Sequence, residues 1–218
     1  MIGTAAPHQV RPSLPELAAR IEALRRGKRR ILVGLTGPPG VGKSTLGQAL
    51  LDRLGACAVL VPMDGFHLSN RMLGELGLAD RKGAPETFDA AGYVALLRRL
   101  RQQEPEPVYA PEFRREIEEP VAGAIAVPHT ATVILTEGNY LLLDRGPWAR
   151  VRDLLDATWY LHADDDLRVD RLIARHVAYG RTPDAARAWV MRSDEANARL
   201  IAATAGRADL VVRLGPMT

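Results

Sequence analysis

Cysteine is almost missing from this chain: Cys57 stands alone among 218 residues, which excludes an intramolecular disulfide framework and fits a reducing compartment. A lone thiol reads as a buried packing residue rather than a nucleophile. The histidines are few and scattered, and with one cysteine they give no C-x-x-C or H-x-x-x-H spacing for zinc. No G-x-S-x-G elbow supports covalent hydrolysis. Long hydrophobic runs are also missing, so nothing reads as a bilayer span, and the first residues carry neither a compact apolar signal core nor a cleavage-like end. Cytoplasmic residence with no membrane partner is the expectation. Aromatics make up only 5% of the chain and do not interleave with the basic residues, so a net charge of +3 does not amount to a nucleic-acid footprint. The densest basic run, RRGKRR at 25–30, follows the helix-like LPELAARIEAL and reads as a solvated helix end.

What is present is an ordinary globular balance, 47% hydrophobic and 25% charged residues, in a length that suits one large domain or two small ones. Short apolar runs alternate with segments of helical period, the pattern of a parallel sheet covered on both faces. Strands are expected at 30–36, 58–63, 132–138, 157–162 and 209–214, and helices from Gly42, Ala90, Asp165 and Thr182. Thr182 suits an N-cap, with Pro183 at the first helical position and Asp184 in the first turn. Residues 1–29 read as a helical lead-in and 30–218 as the main domain. The proline-rich stretch 104–128 has no sustained period and reads as a long ordered loop or small insertion over one face.

The strongest chemical signal is GPPGVGKST, comprising Gly37, Pro38, Pro39, Gly40, Val41, Gly42, Lys43, Ser44 and Thr45. It fits the phosphate-loop pattern G-x-x-x-x-G-K-[ST] and lies between an expected strand and an expected helix. The glycines let the backbone curl so that amide hydrogens point at phosphate oxygens, and the helix start adds the positive end of its dipole. In this pattern Lys43 bridges the β- and γ-phosphates and Ser44 offers its hydroxyl to Mg²⁺.

A phosphate loop reports binding of a nucleoside triphosphate without saying where the γ-phosphate goes. The N-K-x-D stretch of a GTPase and the signature loop of an ABC-type ATPase are both absent. A small-molecule kinase needs an acceptor pocket, a base for the acceptor hydroxyl and a cationic cover that excludes water. Asp64, in VPMDGFHLSN, stands at the carboxyl end of the second strand, where ligands gather in open α/β sheets. It suits a base, and equally a cap for the Asp64-Gly65 turn. His67 and Asn70 beside it are candidate acceptor contacts. Arg81, Lys82 and Gly83 lie in a polar segment suited to covering substrate or phosphates. Arg168, Arg171 and Arg175 share one helix face, while His176 falls on the apolar stripe and reads as a satisfied core histidine. Asp194 and Asn197 fall among the inward-facing Val190 and Ile201, where they need partners from ligand or backbone. Tyr109, Phe113 and Arg114 suit either the wall of an acceptor pocket or a solvated turn.

MDGFHLSN, RKGAPETFD and TEGNYLLLD, taken with the phosphate loop, resemble the phosphoribulokinase, uridine kinase and bacterial pantothenate kinase superfamily of P-loop kinases across residues 30–214. With RLIARHVAYGR and SDEANARLI added, the set is most similar to the nucleoside and nucleotide kinase-like members, some labelled fructose transport system kinases. The resemblance implies a three-layer α/β P-loop NTPase fold. Its parallel sheet is five-stranded in the order 2-3-1-4-5, with helices on both faces and a lid near residues 165–183. It implies that Asp64 acts on the acceptor hydroxyl, that Glu137 joins Ser44 at Mg²⁺, and that Arg175 and Arg181 close on the transferring phosphoryl group. Asn139 and Asn197 become substrate contacts, and a homodimer is a family-level expectation. The family pattern usually has an acidic residue where this chain has Arg114 or Arg115. The expectation is an ATP- and Mg²⁺-dependent kinase of a small hydroxyl-bearing metabolite that is pantothenate-, nucleoside- or sugar-like. The alternative is an ATP-binding regulatory or assembly NTPase with no small acceptor.

Overall fold

Five runs of apolar residues become parallel strands whose side chains alternate between two cores, as period-2 geometry demands. The computed structural model describes residues 9–214. In chain order its elements are β1 (Gln9–Val10), α1 (Leu14–Arg25), β2 (Ile31–Thr36), α2 (Lys43–Leu54), β3 (Ala58–Pro62), α3 (Asn70–Glu75), α4 (Ala90–Gln102), β4 (Val108–Arg114), β5 (Glu119–Val127), β6 (Val133–Gly138), β7 (Ala157–His162), α5 (Asp165–Ala178), α6 (Pro183–Trp189), α7 (Glu195–Ala202) and β8 (Leu210–Arg213). The sheet order is β1-β8-β7-β2-β6-β3, every pair parallel. The five expected strands therefore lie in the expected order, and β1 adds a two-residue sixth strand at the β8 edge.

β2 and β6 are buried along their whole length. Ile31, Val33 and Leu35 pack with Leu17 and Ile21 of α1 and Leu46 and Leu50 of α2. Leu32 and Ile134 face the other way, into a core shared with Tyr93, Leu97 and Leu100 of α4. Helix α1 thus belongs to the same packed body as the sheet. Residues 1–8 of the expected lead-in lie outside the described residues. None of the helices described is long and apolar enough to cross a membrane.

The proline-rich insertion is an antiparallel hairpin, β4 with β5, whose register shifts between Ala110 and Glu112. The basic run at 25–30 is not wholly solvated. Arg30 is buried and donates to the carbonyls of Ala131, Leu100 and Pro128, each at 2.8 Å, which ties the segment after β5 to the end of α4. Burial lowers its pKa. Thr182 caps α6 through a bond from the Ala185 amide, as its sequence context indicates. A π-helical turn, Val190–Asp194, joins α6 to α7 and redirects the polar positions that follow.

Candidate active site

The carboxyl ends of β2, β3 and β6 open onto a cleft of about 970 Å³ lined by the phosphate loop, the segments after β3 and β6, the hairpin tip and the helices after β7. Gly37, Gly40 and Gly42 all have positive φ, at 148°, 78° and 101°, so the loop follows a path that side chains resist. A Cβ at Gly40 would fall 2.6 Å from the Arg168 carbonyl oxygen, so only glycine lets α5 approach. Pro39, Gly40, Gly42, Lys43, Ser44 and Thr45 line the cleft. Gly37 and Pro38 instead turn their carbonyls to the Lys43 ammonium, at 2.8 and 3.1 Å, and Val41 is buried in the core.

Lys43 also donates to Asn139 Oδ1 at 2.7 Å, which joins the phosphate loop to the segment after β6. Burial brings its pKa down to about 8, although Glu137 and Asp64 both favour its charge. The Ser44 hydroxyl donates to Glu137 Oε1 at 2.8 Å, and Glu137 is itself buried. Its carboxyl is held above the ordinary range, first by burial and then by the nearby Asp64 charge. These are hard oxygen donors with a carboxylate and a hydroxyl in contact, a set that suits Mg²⁺ completed by phosphate oxygens and water. Among the described residues no group of three or more His, Cys, Asp or Glu side chains forms a fuller cage.

Asp64 sits in a 3-10 turn, Met63–Phe66, that follows β3 directly. Its carbonyl accepts from the His67 amide at 3.1 Å and lies 2.8 Å from His67 Nδ1, so turn formation and cleft placement coincide in one residue. The hairpin presses on the same turn: a Cβ at Gly65 would fall 2.6 Å from the Pro111 carbonyl carbon. Arg115 approaches Asp64 Oδ2 at 3.6 Å. His67 lies between Phe88 and Phe113, with ring centroids at 4.0 and 4.7 Å, and burial lowers its pKa.

The cover segment is tied down on this turn by Leu68 N to Thr87 O at 2.9 Å and Asp89 N to Phe66 O at 2.8 Å. Lys82 enters the cleft, donating to Asn70 Oδ1 and Glu118 O at 2.7 Å each. Tyr140 and Asn197 both donate to the Gly83 carbonyl, at 2.5 and 3.3 Å. For Asn197 the backbone partner is therefore realised, and its side chain still borders the cleft.

Arg171, Arg175 and Arg181 line the cleft from the α5 side. Arg181 stacks over Trp189 with its guanidinium carbon 4.2 Å from the ring centroid. Burial lowers the Arg175 pKa, with Arg115 adding to the effect. Arg168 is no lid residue. It is 1% exposed and bonds Pro39 O at 3.2 Å, Asp165 at 3.2 Å and Glu195 at 2.5 Å, anchoring α5 and α7 to the phosphate loop. His176 is satisfied, 3.0 Å from Asp194 Oδ2, yet it borders the cleft rather than the core.

Four candidates do not line the cleft. Arg81 is exposed and pairs with Glu86, Arg114 pairs with Glu112 at 2.7 Å, Tyr109 is 59% exposed outside the pocket wall, and Asn70 is exposed and serves instead to hold Lys82. The hairpin sends Arg115 inward in place of Arg114. The sequence marks Arg115 by one signal, a basic residue where the family pattern is acidic, and that signal does not separate it from Arg114.

The Phosphoribulokinase / Uridine kinase family model matches residues 32–218. The chain belongs to this family. Among its relatives, the uncharacterized protein YggC of Escherichia coli (strain K12) is 36% identical over 192 residues, covering 86% of this chain and 79% of that protein. A provisionally named uridine kinase of Schizosaccharomyces pombe is 36% identical over 177 residues, 77% of this chain and 75% of the relative. The crystal structure of a provisionally named fructose transport system kinase from Silicibacter sp. TM1040 superposes with a TM-score of 0.82 at 41% identity, covering 92% of this kinase and 98% of that chain. Family and fold together support ATP-dependent phosphotransfer as the general chemistry of this family member.

Proposed function

We propose that the protein transfers the γ-phosphate of ATP to a hydroxyl group of a small metabolite. The observation that carries this is Asp64: a half-buried carboxylate on the turn after β3, facing the cleft that also holds Lys43, Ser44 and Glu137. A pure nucleotide switch has no need of a second carboxylate there, backed by an aromatic and cationic wall of His67, Phe113, Lys82 and Arg115.

In this mechanism the triphosphate lies along the phosphate loop, with the backbone amides and the N-terminus of α2 supplying positive potential. Lys43, released from the Gly37 and Pro38 carbonyls, takes up the β- and γ-phosphate oxygens. Ser44 and Glu137 would hold Mg²⁺, which when bound neutralises charge on those oxygens. Asp64 orients the acceptor hydroxyl and accepts its proton as the oxygen attacks the γ-phosphorus and ADP leaves. Arg171, Arg175 and Arg181 face the same space and suit the charge that spreads over the phosphoryl oxygens in flight. Asn139 positions Lys43, and Asn197 holds the Gly83 cover over the acceptor side.

ADP release measured with ATP, Mg²⁺ and a panel of pantothenate, nucleosides, fructose and glycerate tests the proposal. At least one acceptor should raise turnover well above basal hydrolysis, and Asp64→Asn should remove that rise. A panel without any stimulation, together with an unchanged rate in the Asp64 variant, refutes it.

A further inference from the structure

The acceptor side of the cleft holds two cations against one ring, and they differ in how far they are committed. Lys82 lies 5.2 Å from the Phe113 centroid and is held by Asn70 Oδ1, the Glu118 carbonyl and, at 3.4 Å, the Glu118 carboxylate. Arg115 lies 6.0 Å from the same centroid, and among the described residues its ion-pair partner is Asp64. At 3.6 Å that pair is longer than a hydrogen bond, and the Arg115 side chain is 36% exposed to the cleft. A guanidinium carries a planar fork of donors that matches a carboxylate or phosphate, so Arg115 has most of its capacity unspent.

The partner matters because Asp64 is the carboxylate that has to accept a proton in the proposed kinase reaction. A guanidinium standing against Oδ2 occupies the place from which an acceptor hydroxyl would have to approach that oxygen. We infer that Arg115 makes the enzyme select acceptors bearing an anionic group, a carboxylate or a phosphate, because only such a group draws the guanidinium off Asp64. The inference rests on the kinase proposal and adds a substrate class and a guard to it. With no acceptor bound, Arg115 stays on Asp64 and water is poorly activated. An anionic acceptor takes the fork, fixes its own orientation over Phe113 and frees Asp64 for its hydroxyl. A neutral sugar or nucleoside leaves the pair in place. Arg114, one residue away, cannot substitute because it pairs with Glu112 outside the cleft.

Basal ATP hydrolysis gives a test that needs no known acceptor. In that reaction a water proton passes to Asp64, the water oxygen bonds the γ-phosphorus, and the β–γ bridge breaks to release ADP. At saturating ATP and Mg²⁺, Arg115→Gln should hydrolyse about threefold faster than wild type, the scale of one half-exposed ion pair. Acetate or inorganic phosphate should raise the wild-type rate by a similar factor and leave Arg115→Gln unchanged. Whichever of the two acts identifies the anion class. Adding Asp64→Asn to Arg115→Gln should cancel the gain. An Arg115→Gln rate equal to wild type, or an anion response that persists in the variant, overturns the inference. Matched acceptors give a second arm: glycerate against glycerol, and fructose 6-phosphate against fructose. Wild type should favour the charged member by about tenfold or more in kcat/KM, and Arg115→Gln should lose that preference. A neutral member that matches or exceeds its charged partner overturns the inference and leaves the kinase proposal standing. Failure of every acceptor, with Asp64→Asn unchanged, removes both.

Discussion

Gly65→Ala probes how the hairpin sets the position of Asp64. The new Cβ would sit 2.6 Å from the Pro111 carbonyl carbon and nearer still to its oxygen, and ordinary contact begins at 3.4 Å, so one backbone must move by about 1 Å. Gly65 does not have a positive φ, so its backbone tolerates alanine and the whole effect comes from this contact. Overpacking of this kind costs about 1–3 kcal/mol, read as a lower urea midpoint. Misplacing a reacting group by close to an ångström lowers kcat on the order of 10- to 100-fold. The phosphate loop lies on other elements, so the KM for ATP should stay within about twofold of wild type. Gly74→Ala in α3 is the control: nothing lies within 4 Å of its added methyl, and a helical alanine should stabilise by about 1 kcal/mol with kcat unchanged. A Gly65→Ala enzyme with wild-type kcat and wild-type urea midpoint would refute the positioning role of the hairpin.

Burial holds Lys43 near pKa 8 against 10.5 when exposed, so the unfolded chain binds more protons between those values and stability contributed at this site rises with pH there. Urea unfolding should show wild type gaining on Lys43→Met, by an amount on the order of 3 kcal/mol, as pH climbs from about 8 to 10.5. A constant difference across that window contradicts the shift. Arg168→Met should cost about 2–3 kcal/mol by leaving the partly buried Glu195 without its partner, and a double-mutant cycle with Glu195→Gln should recover much of it. Arg81→Ala and Arg114→Ala remove exposed pairs with Glu86 and Glu112, so each should change stability by less than about 1 kcal/mol and leave steady-state turnover unchanged.

The parts of this site that were legible in the sequence are those written in contiguous residues. GPPGVGKST carries its own turn, donors and helix start, and Asp64 follows its strand without a gap. The strand order came from family resemblance, since no local pattern specifies which strands pair. What stayed hidden depends on partners distant in sequence. In the sequence Arg168 is one of three arginines on a shared helix face, and it is buried because Pro39 and Glu195 close around it. Arg30 looked like part of a solvated run until Leu100, Pro128 and Ala131 turned their carbonyls to it. Arg114 is the last residue of β4 and Arg115 the first of the turn to β5, so choosing between them required knowing where the hairpin turns.

The fate of the γ-phosphate decides the central proposal most directly. With γ-labelled ATP, Mg²⁺ and an acceptor that stimulates turnover, the label should appear on the organic acceptor in wild type, and Asp64→Asn should cut that transfer by about 100-fold or more. Label recovered only as inorganic phosphate, at a rate that Asp64→Asn leaves unchanged, would contradict it.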